Sequence, residues 1–268
     1  MSAMNAGPLS LEPLLAGLVP LIHEAGALVM RVYATDFQVE IKDDESPVTV
    51  ADQCAEKVIL AGLKRLAPEI PVVGEEAASV GDIPDVSNRF WLVDPIDGTK
   101  EFISRNGEFT VNIALVDHGV PVLGLVLAPA LGTLYAGAVG LGAWVEVGGV
   151  RRDIAVRAEP ADGLTVVGSR YHGNDAAVDA FLAGRRVAAN RMVGSSLKLC
   201  ILAEGLADVY PRFGRTMEWD TAAGDAVLRA AGGMTVDLDG KPFRYGKTKQ
   251  ATDSDFANGH FIAWGKRA

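Results

Sequence analysis

The sequence predicts an α/β fold, a layered α+β sandwich with an antiparallel-sheet N-terminal part and a mainly parallel-sheet C-terminal part. Three observations predict it. Residues 90–97 are an apolar run that ends in acids, which reads as a buried strand opening into a polar turn. Residues 110–116, 122–127, 133–139, 143–147 and 151–156 are short β-rich runs separated by Gly, Pro and Asp-His turns, a meander of antiparallel strands. Beyond Glu159-Pro160, strands and helices alternate, which implies a largely parallel sheet covered by helices. The change of pattern sets a soft boundary near 158, between an N-terminal α+β domain (1–158) and a C-terminal α/β domain (159–268).

In chain order, residues 1–10 read as a frayed terminus. From Ser10, a candidate N-cap, Leu14, Leu18, Ile22, Ala25, Val29 and Val32 recur at helical spacing, and Pro20 is expected to kink or restart that helix. Residues 37–41 alternate as a short strand, and Lys42 to Pro47 read as an exposed loop. Thr49 opens a helix to about Leu66, with Asp52 at the third helical position to complete a capping box. A second reading of Asp52, that it also faces a cluster of acids and orients a water, stays open beside the cap. Gly137, Gly140, Gly142, Gly148 and Gly149 read as turn and bulge residues, because they do not form a dinucleotide fingerprint. In the second half the pattern gives strands at 164–167, 186–193, 207–210 and 234–238, and helices at 175–182, 195–204 and 221–231.

Composition excludes several function classes. With 25 Lys and Arg against 34 Asp and Glu, the net charge of -9 repels a polyanion, and no basic run offsets it, so no nucleic acid polymer is expected as a partner. No uninterrupted apolar stretch reads as a membrane span and no signal peptide is recognisable, so a cytoplasmic address is expected, with peripheral membrane contact left open. Cys54 and Cys200 lie far apart and suit a reducing compartment, and His23, His118, His172 and His260 show no zinc-ligand spacing. A metal site in this chain has to be built from oxygen.

Such a site is foreshadowed at Asp94-Pro95-Ile96-Asp97-Gly98-Thr99. Three residues apart across a Pro-bearing turn, Asp94 and Asp97 can converge with the Ile96 carbonyl between them, the hard oxygen donors that Mg²⁺ prefers. Val72-Val73-Gly74-Glu75-Glu76 repeats the pattern of a short strand followed by acids, and Trp219-Asp220 places another acid just before a helix. Any one of these is ordinary loop chemistry; together, with Gly-Thr after one of them, they suit metal-assisted phosphoryl chemistry. Gly194-Ser195-Ser196 precedes a helix and is either a Ser N-cap or an anion or ribose contact. Asp220 either complements a helix dipole or ligates a metal, and one placement can do both.

With Gly74-Glu75-Glu76, Asp94 to Thr99 and Trp219-Asp220-Thr221-Ala222-Ala223-Gly224 assembled, the chain resembles, over nearly its whole length, the inositol monophosphatase superfamily of Mg²⁺-dependent, lithium-sensitive phosphatases. Within it the chain is most similar to the 3'(2'),5'-bisphosphate nucleotidases, which remove the 3'-phosphate of 3'-phosphoadenosine 5'-phosphate. The discriminating stretches are Asp97-Gly98-Thr99-Lys100-Glu101-Phe102, Gly194-Ser195-Ser196-Leu197-Lys198, Tyr210-Pro211-Arg212 and Thr216-Met217-Glu218-Trp219-Asp220. The resemblance implies an inositol monophosphatase-like fold and two Mg²⁺ ions, with a third, weaker one compatible. Glu75, Asp94 and the Ile96 carbonyl would hold the first ion, and Asp94, Asp97 and Asp220 the second. It implies that Asp52 and Thr99 orient and deprotonate the attacking water, and that the Gly98 and Thr99 amides cradle the phosphate.

Substrate contacts are expected from Glu75, Ile96, Asp97, Gly98, Thr99, Lys100, Gly194, Ser195, Ser196, Lys198 and Asp220, with Arg170 and Arg212 as further cations. Arg215 departs from the family pattern, where proline is common; it either tightens an anionic substrate or points to solvent. The expected function is a phosphomonoesterase acting on a small phosphorylated nucleotide in sulfur assimilation, as a monomer or homodimer. The rival readings are an inositol or broad sugar phosphatase and a catalytically idle metal or nucleotide sensor.

Overall fold

The computed structural model describes residues 10–41, 47–86, 88–170 and 175–266. Residues 1–9 of the terminus expected to fray, residues 42–46 of the loop expected at Lys42 to Pro47, and His172 lie outside the described residues, while Pro47 begins a strand. In chain order the elements are α1 (Leu11–Tyr33), β1 (Val39–Ile41), β2 (Pro47–Thr49), α2 (Val50–Leu66), β3 (Val72–Gly74), α3 (Glu75–Ser79), β4 (Arg89–Asp97) and α4 (Thr99–Ile103). There follow β5 (Thr110–Asp117), β6 (Val120–Ala128), β7 (Thr133–Ala138), β8 (Gly142–Val147) and β9 (Val150–Ile154), then β10 (Leu164–Ser169), α5 (Asp175–Leu182), β11 (Val187–Val193) and α6 (Leu197–Ala203). The chain ends with β12 (Val209–Arg212), β13 (Thr216–Met217), α7 (Glu218–Ala230), β14 (Met234–Val236), β15 (Ala257–Asn258) and β16 (Phe261–Trp264).

Two sheets organise the molecule. The first runs in simple order from β3 to β9, parallel only between β3 and β4 and antiparallel thereafter, as the meander predicts. Alternation along its strands divides two apolar layers. Trp91, Val93, Ile113 and Leu115 join α1 and α2 on one face, while Phe90, Leu92, Ala114 and Val116 join α6 and α7 on the other. The second sheet has the order β11-β10-β12-β16-β14. Its inner face, with Val167, Tyr210 and Phe261, closes on the same core as α6 and α7, and its outer face, with Val166, Val209 and Ile262, packs under Phe181 and Leu182 of α5. The stack is therefore helix, sheet, helix, sheet, helix.

Four details differ from the sequence reading. β16 pairs antiparallel with both β12 and β14, so the second sheet is mixed: four strands share one direction and the last strand of the chain is inserted against them. Pro20 does not restart a helix, since α1 is continuous through it, and Pro20 itself is exposed. Gly137 is neither turn nor bulge but lies inside β7, beneath α7. Finally, α1 is long and apolar enough to cross a membrane by length and composition. It carries Glu12 and Arg31, and it buries Leu14, Leu18, Ile22, Ala25 and Val29 against α2 and the first sheet, as a core helix does.

Candidate active site

The β4–β5 pairing builds the centre of the site. Asp94 faces Asn112 and Asp97 faces Thr110, and the register shifts between those two pairs. In a regular strand, residues three apart point to opposite faces. Here Pro95 has no N–H for the ladder, the Ile96 N–H turns to Asp94 Oδ1 at 3.0 Å, and the irregularity swings both acids to one side. Gly98 follows at φ 89°, in the left-handed region, and α4 starts at Thr99. Phe102 anchors α4 in an aromatic nest, its ring 5.1 Å from Tyr33 and 5.0 Å from Phe109. The Thr99 hydroxyl donates to the Ile96 carbonyl at a long 3.4 Å.

α7 delivers the third acid from across the core. It begins at Glu218 rather than 221, so Asp220 lies inside the first turn and not before the helix, and its Oδ2 accepts from the Met217 N–H at 2.7 Å. Fully buried Glu218 pins this turn by accepting from the Gly246 and Lys247 amides and from Lys247 Nζ. The outcome is that carboxylate oxygens of Asp94, Asp97 and Asp220 lie within 4.8 Å of one another.

Electrostatics make this cluster expensive without a cation. Asp94 is 1% exposed; burial holds its carboxyl well above the usual range, and the charges of Glu75, Asp97 and Asp220 and a hydrogen bond with Glu75 push it the same way. Burial likewise raises Asp97, against the pull of Lys198 and the Ser196 hydroxyl, and it raises Asp220 together with the charge of Asp97. Converging hard oxygens whose mutual repulsion a positive ion would relieve fit a divalent metal such as Mg²⁺. Glu75, the first residue of α3, stands beside Asp94 and can join them.

Asp52 closes the predicted capping box: its Oδ2 accepts from the Thr49 N–H at 2.8 Å and from the Thr49 hydroxyl at 2.7 Å. Burial nevertheless pushes it up to about 7, with Glu76 and Glu75 adding repulsion. It is thus a cap that also faces acids, and its partner in the cap is Thr49, while Thr99 bonds to Ile96.

The candidate cations separate clearly. Burial lowers Lys198, whose charge faces Asp97 and Glu101, and its Nζ lies 5.8 Å from the Tyr210 ring. Arg212 is buried, donates to the Arg215 carbonyl at 3.0 Å, and its charge is felt at Asp220. Arg170 is held by Glu108 at 2.9 Å, and the same carboxylate accepts from the Gly194 N–H at 2.7 Å. Lys100 is exposed on α4. Arg215 takes the solvent-side alternative: it pairs with Asp253 at 3.0 Å and with Ser254 at 2.7 Å.

The predicted helix at 195–204 starts later, at Leu197, and neither serine caps it. Ser195 has φ 47° and a buried hydroxyl, and Ser196 turns its hydroxyl toward Asp97. Four residues to which the sequence assigns no role in the site also shape it, Glu101 among them although it belongs to a discriminating stretch. Glu56 accepts from the Glu76 and Ala77 amides, Asn112 binds Ser196, Glu108 ties Gly194 to Arg170, and Glu101 is buried against Gly98 and Gly194. A signal for two of them was present. Glu56 follows Asp52 at i,i+4 on one helix face, and Asn112 is an amide inside an apolar strand.

Known proteins bear on this geometry in three ways. The family model described as the inositol monophosphatase family matches residues 10–263. The 3'(2'),5'-bisphosphate nucleotidase CysQ of Escherichia coli (strain K12) is 50% identical over 228 residues, covering 84% of this chain and 91% of that protein, and the Buchnera aphidicola protein of the same name is 40% identical over 246. Among solved structures, CysQ from Bacteroides thetaiotaomicron, a bacterial member of the inositol monophosphatase family, superposes with a TM-score of 0.77 at 35% identity, covering 94% of this chain and 97% of that one. The Thermotoga maritima IMPase superposes at 0.76 with 26% identity, over 93% of this chain and 91% of its own. On its sequence, its layers and its acids, this chain belongs to the inositol monophosphatase family.

Proposed function

We propose that the protein is a Mg²⁺-dependent phosphomonoesterase that removes the 3'-phosphate of 3'-phosphoadenosine 5'-phosphate, releasing AMP and phosphate, in the cytoplasm and in the service of sulfur assimilation. The observation that carries the reaction class is the convergence of Asp94, Asp97 and Asp220 oxygens within 4.8 Å, in a setting that penalises their charge. The substrate rests on 50% identity to nucleotidases of that name over most of the chain.

Glu75, Asp94 and the Ile96 carbonyl would hold one ion, and Asp94, Asp97 and Asp220 a second. When bound, the ions supply charge neutralisation for the phosphoryl oxygens and lower the pKa of water. The chain's own groups do the rest. The first amides of α4 have no intrahelical carbonyl to reach, so Gly98 and Thr99 can donate to phosphate oxygens. Asp52, at about 7, is poised to take a proton from the attacking water near neutral pH, and Thr99 orients that water through its hydroxyl. Phosphoryl transfer asks mainly for positioning and charge, which this arrangement provides.

Recognition of the second phosphate falls to Lys198 and Arg212, with Lys100 at the rim. A cavity of about 450 Å³ lies between α5 and β10–β12 with Tyr210 and Arg212 in its lining, the charge of Arg212 is felt at Asp220, and the size suits a small-molecule site. In this reading residues 1–158 supply most of the metal ligands, and residues 159–268 supply Asp220 and the contacts to the nucleotide. The test is phosphate release by the purified protein with Mg²⁺ from 3'-phosphoadenosine 5'-phosphate, inositol 1-phosphate and fructose 1,6-bisphosphate. Preference for the nucleotide is expected. Preference for inositol phosphate would reassign the substrate, and release from none of them would point to a sensor.

A further inference from the structure

Asn112 is fully buried in β5, directly across the ladder from Asp94. Cross-strand partners share a face of the sheet, so its side chain lies beside the acids. Its Nδ2 donates to Ser196 Oγ at 2.9 Å, a contact between residues 84 positions apart. Ser196 is itself 3% exposed, and its Oγ lies 2.8 Å from Asp97 Oδ2 and 2.5 Å from the Asp220 carbonyl.

A serine hydroxyl has one proton and two lone pairs. With an amide N–H filling one lone pair, the single proton faces Asp97 and the Asp220 carbonyl, both of which are acceptors at hydrogen-bond distance and can share it. The opposite amide orientation would place Asn112 Oδ1 against the hydroxyl and draw the proton away. Asp97 and the Asp220 carbonyl would then face a bare oxygen. Asn112 Oδ1 has no hydrogen-bond partner among the described residues, so donation to Ser196 is the one bond that accounts for burying this amide.

We infer that Asn112 and Ser196 are a pair of positioning residues for the metal cluster: Asn112 orients the Ser196 hydroxyl so that its one proton is shared, as a three-centre bond, between Asp97 of the first sheet and the Asp220 carbonyl on the α7 turn, which sets their separation. The inference rests on the reading that Asp97 and Asp220 share an ion. It gives Ser196 a different task from the substrate contact that the family resemblance implies, because three protein groups already crowd its hydroxyl. Groups that orient metal ligands act on affinity and turnover, and their loss costs roughly 10–100-fold.

The experiment measures Mg²⁺ binding to the metal-free full-length chain by titration calorimetry, together with kcat and KM at saturating Mg²⁺ and melting in EDTA. It uses Asn112→Leu, Ser196→Ala and the double variant. Each single variant is expected to weaken Mg²⁺ by roughly 10–100-fold and to lower kcat, with KM for the nucleotide unchanged. The double variant is expected to match Ser196→Ala within about twofold, since Asn112 acts through Ser196. Should Asn112→Leu not fold, Ser196→Ala decides by the same readouts. Wild-type Mg²⁺ affinity in the folded variants, a raised KM at unchanged kcat, or independent losses in the double variant would overturn the inference alone. A wild-type chain that neither binds Mg²⁺ nor releases phosphate would instead remove the reading of the site on which it rests.

Discussion

Glu56 holds Glu76 by its backbone: Glu56 Oε2 accepts the Glu76 N–H at 2.8 Å, while Oε1 accepts the Ala77 N–H at 2.8 Å. A side chain of α2 thus caps α3 across 20 residues of sequence, and the first residue of α3 is Glu75. Burial pushes the Glu56 carboxyl up to about 7 even with both amides bound. Space is tight as well, because a Cβ on Gly74 would lie 2.5 Å from Glu56 Oε2.

Removing this cap should loosen the metal site through Glu75. Glu56→Ala strands two amide donors, and hydrogen bonds to a charged acceptor contribute about 1.5–3 kcal/mol each at most. The expected result is a lower melting temperature and a weaker Mg²⁺ titration, with Glu56→Gln losing less because one acceptor oxygen survives. Unchanged Mg²⁺ affinity in Glu56→Ala would detach α3 from the site.

Asp97→Asn separates stability from activity. The carboxylate is held above its ordinary range by burial and sits among like charges, so replacing it with a neutral amide removes repulsion from the metal-free protein. The variant should melt at a higher temperature in EDTA, gain less from Mg²⁺, and turn over at least about 100-fold more slowly. Near-normal turnover would take Asp97 out of the metal site.

Stability should respond to pH differently with and without metal. Asp52 and Glu56 rise from 3.8 and 4.5 to about 7 in the folded chain, and Asp94, Asp97 and Asp220 are also raised. Between about pH 4 and 7 the folded state therefore holds protons that the unfolded chain releases, and metal-free stability falls as pH increases. Asp117 and Asp253, lowered by Arg89 and Arg215, pull the other way from the surface. Cation binding needs ionised carboxylates, so the gain in melting temperature from Mg²⁺ should widen from pH 5 to 8. Paired melts in EDTA and in excess Mg²⁺ measure both slopes, and a gain from Mg²⁺ independent of pH would contradict the coupling.

Contacts between residues close in the chain leave a pattern in the sequence, and contacts across the core do not. Thr49 and Asp52 are three residues apart, so their capping box was legible, and the acids of 94–97 were legible as one short motif. The sequence predicts α7 from 221, because the acids of its first turn resemble loop residues, whereas the helix begins at Glu218. β16 escaped notice as a four-residue run at the end of the chain, and only the second sheet reveals that it is inserted antiparallel between β12 and β14. The bond from Ser196 to Asp97 spans 99 residues and leaves no local trace. What closes the site across the core is set by packing that no spacing rule encodes.

That packing depends on a row of small residues. Ala114, Gly124, Gly137 and Ala143 are successive partners across β5, β6, β7 and β8, forming a trough in which α7 lies. A Cβ on Gly124 would fall 2.2 Å from the Ala223 carbonyl oxygen, and one on Gly137 would fall 2.9 Å from Val227 Cα. These contacts are with helix backbone, so no rotamer change relieves them and α7 has to lift. Gly124→Ala should cost about 1–3 kcal/mol, as overpacking does. Because Asp220 rides on the first turn of α7, the same variant should also weaken Mg²⁺ binding, though Gly124 carries no polar side chain. Gly259→Ala, where an added Cβ meets nothing within 4 Å, is the control and should leave both within about 0.5 kcal/mol of wild type. If Gly124→Ala destabilises the fold while Mg²⁺ affinity stays intact, the height of α7 above the sheet does not set the position of Asp220.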